Sequence, residues 1–247
     1  MINNLTLSEY LLEKDIIVTE ECFKGRRLYT EEEVFSQIIL IEDIHRILMD
    51  YGRNGSTRIN STIGKNIETI KVELKRLRKD FEFRENLKEK NEMDYYIMEN
   101  GENILYRAEE ALKRLNEIDY IGIIKRSMKK NEICLGRVDE GNLRVIDAVE
   151  IGNLKNISYN LIEEDICAYL KKVRRRLMNV SIESCIDKYI ELSHLNKDSE
   201  EYIKIHLSVP YDSLKQWYRY RQNKRGLLPD EYLKNIKSSL KYENEIL

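Results

Sequence analysis

The chain is poor in residues that interrupt regular secondary structure, since it has 2 prolines and 10 glycines among 247 residues. Long helices are therefore permitted along most of its length. It also lacks any run close to the roughly 18 consecutive apolar residues that would span a bilayer. Residues 1–15 contain neither a basic segment nor a long apolar one, so no signal peptide is expected. These absences favour a protein that is made and kept in the cytoplasm.

The sequence also offers few groups that could bind a metal through sulfur or imidazole. No two cysteines form a CxxC pair, and the histidines share no ligand spacing with them. Reduced, mostly buried thiols are the simpler interpretation, and we expect no structural zinc site and no cofactor. The residues concerned are Cys22, Cys134, Cys167, Cys185, His45, His194 and His206.

Charge is nearly balanced. The net charge is −2, with 35% charged and 42% hydrophobic residues, which is enough apolar material for a core under a well-solvated surface. The length suits one large domain or two small ones. A balance of this kind provides no global electrostatic attraction to nucleic acid or to an anionic membrane, so neither is expected as a partner.

Hydrophobic periodicity predicts a mainly α fold. Thr30 and Glu33 have the spacing of a capping box, which places a helix start there. That helix is expected to end at Tyr51 and Gly52, and the segment 148–160 is expected to be irregular. The remaining predicted elements are helices at 7–12, 64–87, 92–116, 121–129, 161–178, 181–193, 199–223 and 230–242, and a strand at 16–19.

The stretch ICLGRVDEGNLRV, residues 133–145, is the one predicted β element of the middle of the chain. It is typical of a short strand, a tight loop with two glycines, and a second short strand, and so predicts a small central hairpin. Two long helices and a short one precede it, and several helices follow. This order resembles the C-terminal lobe of kinase-like small-molecule phosphotransferases.

In the aminoglycoside and choline kinase superfamily, the strand before this loop ends in a His-Gly-Asp pattern, and an Asn follows five residues after the Asp. The Asp accepts the proton of the substrate hydroxyl, and the Asn helps to hold magnesium. The corresponding residues here are Leu135, Gly136, Arg137 and Asn142. The glycine and the asparagine match, but the histidine and the aspartate do not. The resemblance therefore implies a catalytic loop that is kept as architecture without its chemistry.

Three segments resemble one branch of this superfamily, the spore-coat kinase-like family of endospore-forming bacteria. They are residues 111–136, 165–176 and 209–240, and the resemblance extends from about residue 30 to the end. It implies a kinase-like C-lobe in 30–247, other spore-coat proteins as partners, and a place in the mother-cell cytoplasm with assembly into the coat. Residues 1–29 are then an N-terminal arm or a remnant of the N-lobe.

Three further observations argue against catalysis. Arg137 cannot deprotonate at cellular pH and so cannot act as a base. The second magnesium ligand of the family falls at 153–155, where Asn153 and its neighbours supply no carboxylate, although Asp147 and Glu150 leave a displaced site open. No glycine-rich phosphate-binding motif occurs, and Lys24 is the only basic residue in an arguable position to bind phosphate.

The segment WYRYRQNKR interleaves aromatic and basic residues, as single-strand nucleic-acid binders do. On a helix, Trp217 lies on a different face from Tyr218, Arg221 and Arg225. An amphipathic helix with one face in the core is the favoured interpretation. The alternative is an interaction surface made of these four residues.

Three hypotheses remain open. The first is a catalytically inactive kinase-like protein that acts as a structural or scaffold component of the spore coat. The second is a residual small-molecule phosphotransferase or nucleotide-sensing module, which would depend on ATP. The third is a nucleic-acid or regulatory binding protein that uses the basic aromatic helix. The sequence names neither an individual partner nor an oligomeric state.

Overall fold

The computed structural model describes residues 5–24, 30–54, 56–176, 179–224 and 226–243. Its helices, in chain order, are α1 (Leu7–Leu12), α2 (Glu31–Asn54), α3 (Lys65–Glu85), α4 (Glu92–Arg114), α5 (Tyr120–Lys130), α6 (Glu163–Arg176), α7 (Ile182–Ser193), α8 (Lys197–Ser208), α9 (Tyr211–Arg221) and α10 (Pro229–Glu243). Its strands are β1 (Ile16–Val18), β2 (Ile133–Cys134), β3 (Leu143–Val145), β4 (Val149–Ile151) and β5 (Ser158–Tyr159). The fold is mainly α, as the periodicity predicts.

Packing divides the chain into two compact units. The first comprises Met1–Gly64 and Asp119–Ile203, and the second comprises Lys65–Ile118 and Lys204–Leu247. The boundary predicted at residue 30 falls inside the first unit, because β1 joins the same sheet as the later strands β3 and β4.

The two strands of the 133–145 stretch do not pair with each other, so the hairpin predicted between them does not form. β2 pairs antiparallel with β5, while β3 pairs antiparallel with β4. The hairpin therefore lies at 143–151, partly within the segment expected to be irregular. β1 adds to β4 in parallel, with Ile16 opposite Val149, and completes a three-stranded sheet in the order β1-β4-β3.

Helix α2 supplies much of the core of the first unit. Its predicted apolar face is buried, comprising Val34, Ile38, Ile41, Ile44 and Leu48. The capping box at its start is confirmed, since Glu33 N donates to Thr30 Oγ1 at 3.2 Å and Thr30 N donates to the Glu33 carboxylate at 3.0 Å. The helix continues to Asn54, past the stop predicted at Tyr51 and Gly52, because a single glycine weakens a helix without ending it.

The second unit is built from α3, α4, α9 and α10, which pack on one another. The single helix predicted at 199–223 is in fact two helices, α8 and α9, which separate at Val209 and Pro210. Proline lacks the N–H that would continue the helical hydrogen bonds, and it disfavours helical geometry in the residue before it. Among the described residues, none of the helices combines the length and the apolar character needed to cross a membrane.

Candidate functional site: a kinase-like loop without its acids

The backbone of the 135–142 loop is fixed by a buried carboxylate from the first turn of α6. Asp165 accepts hydrogen bonds from Leu135 N at 2.8 Å and from Gly136 N at 2.9 Å. His45 Nε2 lies 3.0 Å from the same carboxylate, and His45 Nδ1 lies 3.1 Å from the Tyr189 hydroxyl. Because buried carboxylates need hydrogen-bond partners, this arrangement holds both the acid and the loop in one geometry.

Three of these buried groups also lie at distances that a metal ion could bridge. The ligand atoms of His45, Cys134 and Asp165 lie within 4.8 Å of one another. The Cys134 thiol, however, donates to Leu161 O at 3.0 Å. Burial raises the pKa of this thiol well above its ordinary value, and the negative charge of Asp165 adds to the effect. Since metals bind the thiolate, the group is better described as a hydrogen-bonded part of the core.

Gly136 is required for the path of the loop. Its φ is +75°, a conformation that residues with side chains rarely adopt. A Cβ atom at this position would lie 2.5 Å from Asn156 O, which is backbone and cannot move aside as a flexible side chain could. The glycine of the family pattern therefore has a structural reason to be here, independent of any reaction.

Arg137 stands where the resemblance of the 133–145 stretch would place a catalytic base. Its guanidinium contacts Asp139 through Nε at 3.2 Å and donates through Nη1 to Cys22 Sγ at 3.1 Å. A guanidinium has no free lone pair to accept a proton. The site therefore presents a positive charge where proton abstraction and magnesium binding would both need a negative one.

Asp139 is the nearest carboxylate along the loop, and its oxygens are already engaged. It pairs with Lys172 and with Arg137, and it accepts a hydrogen bond from Gly141 N at 3.2 Å. Burial by itself would raise the pKa of Asp139, but the hydrogen bonds and charges of Lys172 and Arg137 outweigh it and lower the pKa. The carboxylate is thus ionised and holds the loop together.

Asn142 and Asn153, which the resemblance would place at magnesium positions, lie close together, and the Asn142 side chain bonds to the Asn153 backbone. Asn142 Nδ2 donates to Arg137 O at 2.9 Å and to Asn153 O at 3.2 Å. Its Oδ1 accepts from Asn153 N at 2.9 Å. Both donors and the acceptor of this buried amide therefore join two parts of the chain to each other. Magnesium prefers anionic oxygen ligands, and neither amide provides one.

Residues 19–23, here called the strap, run directly over this loop. Thr19 N donates to Ile151 O at 2.9 Å, and Phe23 N donates to Gly141 O at 2.9 Å. Between these two points, Cys22 Sγ accepts a hydrogen bond from Asn153 Nδ2 at 2.8 Å. A Cβ atom on Gly152 would lie 2.7 Å from Glu21 O, so the strap touches the backbone directly before Asn153.

The strap ends on the β3–β4 hairpin. The guanidinium of Arg144 lies over the Phe23 ring, 3.6 Å from its centroid. Arg144 also pairs with Glu150 at 2.6 Å, so one of the two carboxylates considered for a displaced metal site is already neutralised. The other, Asp147, is exposed to solvent.

A cavity of about 700 Å³ borders this hairpin and the start of α2. Lys24 and Arg144 contribute positive charge to it, and Glu32, Glu33 and Glu140 contribute negative charge. A nucleoside triphosphate carries several negative charges, so the carboxylates oppose its binding there. The cavity nevertheless brings Lys24, the one basic residue considered for a phosphate site, to the same face as the loop.

The basic aromatic helix α9 has its tryptophan in the core of the second unit. Trp217 is fully buried, and its Nε1 donates to Asp80 at 2.8 Å. Arg221 Nε lies 3.6 Å from the same carboxylate, while Tyr218 is half-buried beneath Lys224. The interaction surface proposed from sequence therefore cannot include Trp217. Arg225 lies outside the described residues.

Sequence reasoning located the loop but missed what surrounds it. The roles of His45, Asp139 and Lys172 carry no local pattern, because each depends on a partner far away in the chain. The strap was missed as well. Its only signal was the strand predicted at 16–19, which says nothing about the surface that the strand covers.

No protein-family model matches this chain, and no curated protein matches it. Among solved structures, it is similar to the crystal structure of an aminoglycoside phosphotransferase from Alicyclobacillus acidocaldarius, with a TM-score of 0.67 and 13% sequence identity. The match covers 90% of this chain and 67% of that one. At this identity the likeness shows the fold alone. The chain thus has a mainly helical, kinase-like fold of the aminoglycoside phosphotransferase type, dominated by the C-terminal lobe.

Proposed function

We propose that this protein is a catalytically inactive, kinase-like protein that acts as a structural or scaffold component of the bacterial spore coat. The observation that carries the proposal is the combination of Arg137 at the base position with the strap over the loop. The first removes the chemistry, and the second places residues 19–23 against Gly141 and Asn153.

Arg137 and Asn153 lack the groups that a phosphotransferase would need at these positions. A general base contributes about 10²–10⁴ in rate, and Arg137 cannot supply this contribution. The Asn142 side chain is engaged with the backbone of Arg137 and Asn153. The Asn153 side chain donates to Cys22 Sγ and accepts from Lys155 N. Restoring a reaction would require a base, anionic metal ligands and displacement of the strap.

The contacts that fix the shape of the loop are retained. Asp165, Gly136 and Asn142 all hold the loop in place through contacts that need no substrate. A scaffold needs a stable surface of defined shape, and these contacts provide one. The coat assignment is supported by the resemblance of residues 111–136, 165–176 and 209–240 to the spore-coat kinase-like family. It implies other coat proteins as partners and the mother-cell cytoplasm as the place of synthesis.

The test is to follow a fluorescently tagged copy through sporulation. We expect the tagged protein to appear in the mother cell and then to fractionate with the coat. A variant with Arg137→Ala should fractionate in the same way, because a scaffold does not depend on chemistry at this position. A tagged wild-type protein that is absent from purified coats would overturn the proposal.

A residual phosphotransferase or nucleotide-sensing module is the second candidate, and the cavity with Lys24 and Arg144 is the observation in its favour. The carboxylates in the same cavity make it the weaker one. A ligand present at a hundred times its dissociation constant adds about 2.7 kcal/mol of stability. We expect magnesium-ATP to produce no such shift in a thermal melt. A shift of several degrees would favour the second candidate over the first.

A further inference from the structure

The exposed side of α3 carries a stripe of basic and apolar residues. Val72, Lys75, Arg76, Lys79 and Phe83 recur at the spacing that places residues on one helical face. All five side chains are exposed, with Val72 at 45% and Phe83 at 62%. Since the helix rises by about 1.5 Å per residue, the two apolar ends lie about 16 Å apart, with three cations between them. These five residues are called the α3 stripe.

The cations of the stripe differ from their neighbours on the same helix. Lys71 pairs with Glu68, and Arg78 pairs with Glu102 and Glu109. Within the described part of the chain, Lys75, Arg76 and Lys79 form no ion pair. Glu82 is exposed beside Lys79 without pairing to it. The positive charges of Lys75 and Lys79 are therefore available to another molecule, while Arg76 also lies near Glu73.

Helix α9, which packs against α3, extends the positive charge. Lys215 and Lys224 lie above the rings of Tyr211 and Tyr218, at 5.5 Å and 5.1 Å from the centroids. Both lysines, together with Arg76, are close enough to Glu73 to act on its pKa, which burial raises. One half-buried carboxylate thus faces three cations, and the local charge stays positive.

We propose that the α3 stripe binds an acidic segment of another protein, one with an apolar side chain near each end of its acidic run. The inference rests on the proposed scaffold function and names the kind of partner that the scaffold would hold. Carboxylates would meet Lys75, Arg76 and Lys79, and the apolar side chains would cover Val72 and Phe83. Charge complementarity of this kind mainly supplies specificity and fast association.

The apolar ends favour a protein over the other polyanions. An interfacial membrane helix needs a continuous apolar face to enter the lipid, and the apolar face of α3 is already buried in the core through Ile67, Ile70, Leu74 and Leu77. A nucleic acid would bind chiefly through its phosphates, which leaves Val72 exposed.

The test uses a fluorescent synthetic peptide of glutamate and alanine with two leucines spaced to match Val72 and Phe83. We expect the full-length protein to bind it at low salt and to release it at high salt, as screening weakens the charge contacts. Lys75→Glu with Lys79→Glu should raise the Kd by about tenfold or more, because it replaces attraction with repulsion. Phe83→Ser should raise it by about threefold or more, since it removes apolar area at one end.

The matched control is Lys88→Glu with Lys113→Glu, which reverses two exposed charges of the same unit away from the stripe. It should leave peptide binding unchanged, and equal melting curves would show that both double variants fold. The inference would be overturned if the control variant weakened peptide binding as much as the stripe variant does. It would also be overturned if the protein bound an oligonucleotide or phosphatidylglycerol vesicles more tightly than the peptide. If the peptide does not bind but the tagged wild-type protein still fractionates with the coat, the inference about the α3 stripe fails while the proposed function stands. The two failures are therefore distinguishable.

Discussion

Two buried carboxylates, one in each unit, are stabilised in different ways. Asp165 in the first unit accepts hydrogen bonds from two backbone N–H groups and lies against His45. Asp80 in the second unit accepts hydrogen bonds from the Arg84 guanidinium and from Trp217 Nε1. The first arrangement fixes the conformation of one loop, whereas the second connects helices through side chains. The two carboxylates should therefore respond differently when a partner is removed.

The largest loss of unfolding free energy is expected when Arg84 is replaced. Its guanidinium donates to Asp80 at 2.6 Å, pairs with Asp94, and lies 4.5 Å from the centroid of the Tyr220 ring. Arg84→Ala would remove the cation that Asp80 and Asp94 share and would leave Asp80 with only the more distant cation of Arg221, which should cost about 3–5 kcal/mol of unfolding free energy. Urea denaturation measures this loss.

Arg78→Ala is the matched control, because Arg78 also contacts two carboxylates, Glu102 and Glu109, but does so near the surface. It should cost less than about 1 kcal/mol. Equal losses from the two variants would mean that burial does not distinguish these ion pairs.

A smaller and more local effect is expected at Asp165. Asp165→Asn removes the negative charge and leaves an amide that cannot accept at both oxygen positions, so it should cost about 1–3 kcal/mol. Hydrogen exchange should quicken at Leu135 N and Gly136 N more than at the amides of α2. Asp187→Asn, an exposed change in α7, should alter stability by less than about 0.5 kcal/mol. Unchanged exchange at the two loop amides would show that Asp165 does not hold the loop.

The titration of Asp139 should change the free energy of unfolding by a still smaller amount. Because its pKa is lower in the folded protein than the ordinary value of 3.8, the unfolded state binds its proton first as the pH falls. Its contribution to stability is therefore present above pH 3.8 and is lost as the pH drops through the folded pKa. Urea titrations of the wild type and of Asp139→Asn should differ at neutral pH and converge in acid. A constant difference at all pH values would contradict this assignment.

No effect is expected from restoring the acids of the loop. Arg137→Asp with Asn153→Asp supplies carboxylates where the resemblance would place the base and the second metal ligand. The strap still covers the loop, and the nearby cavity still carries Glu32, Glu33 and Glu140, so ATP turnover should remain at background. An assay of phosphate release in the presence of magnesium checks this. Measurable turnover would show that the strap moves aside and that a nucleotide site exists.

The local elements of the fold were predictable because they depend on local patterns. The periodic burial of α2 and α3, the capping box at Thr30 and the helix at Leu7–Leu12 follow from residues that are close in sequence. The break between α8 and α9 was predictable in principle from Pro210, but the apolar periodicity on both sides of it concealed the interruption.

The pairing of the strands was not predictable in the same way. β2 and β3 are separated by a loop that suits a hairpin, yet each finds its partner elsewhere. Directly after β2, Asp165 accepts hydrogen bonds from the backbone of Leu135 and Gly136, which fixes the chain there through a residue distant in sequence. Short strands specify little by themselves, since their pairing is decided by neighbours and burial.

By itself, the sequence determined where most of the helices form, and that Arg137 and Asn153 carry no carboxylate. Those properties depend on residue type and short spacing. Only the tertiary structure decided that the strap lies over the loop, that Arg137 meets Cys22, and that Trp217 donates to Asp80. These contacts join residues distant in the chain. Their geometry comes from packing the whole unit, because hydrogen bonding and burial must be satisfied there for all groups together.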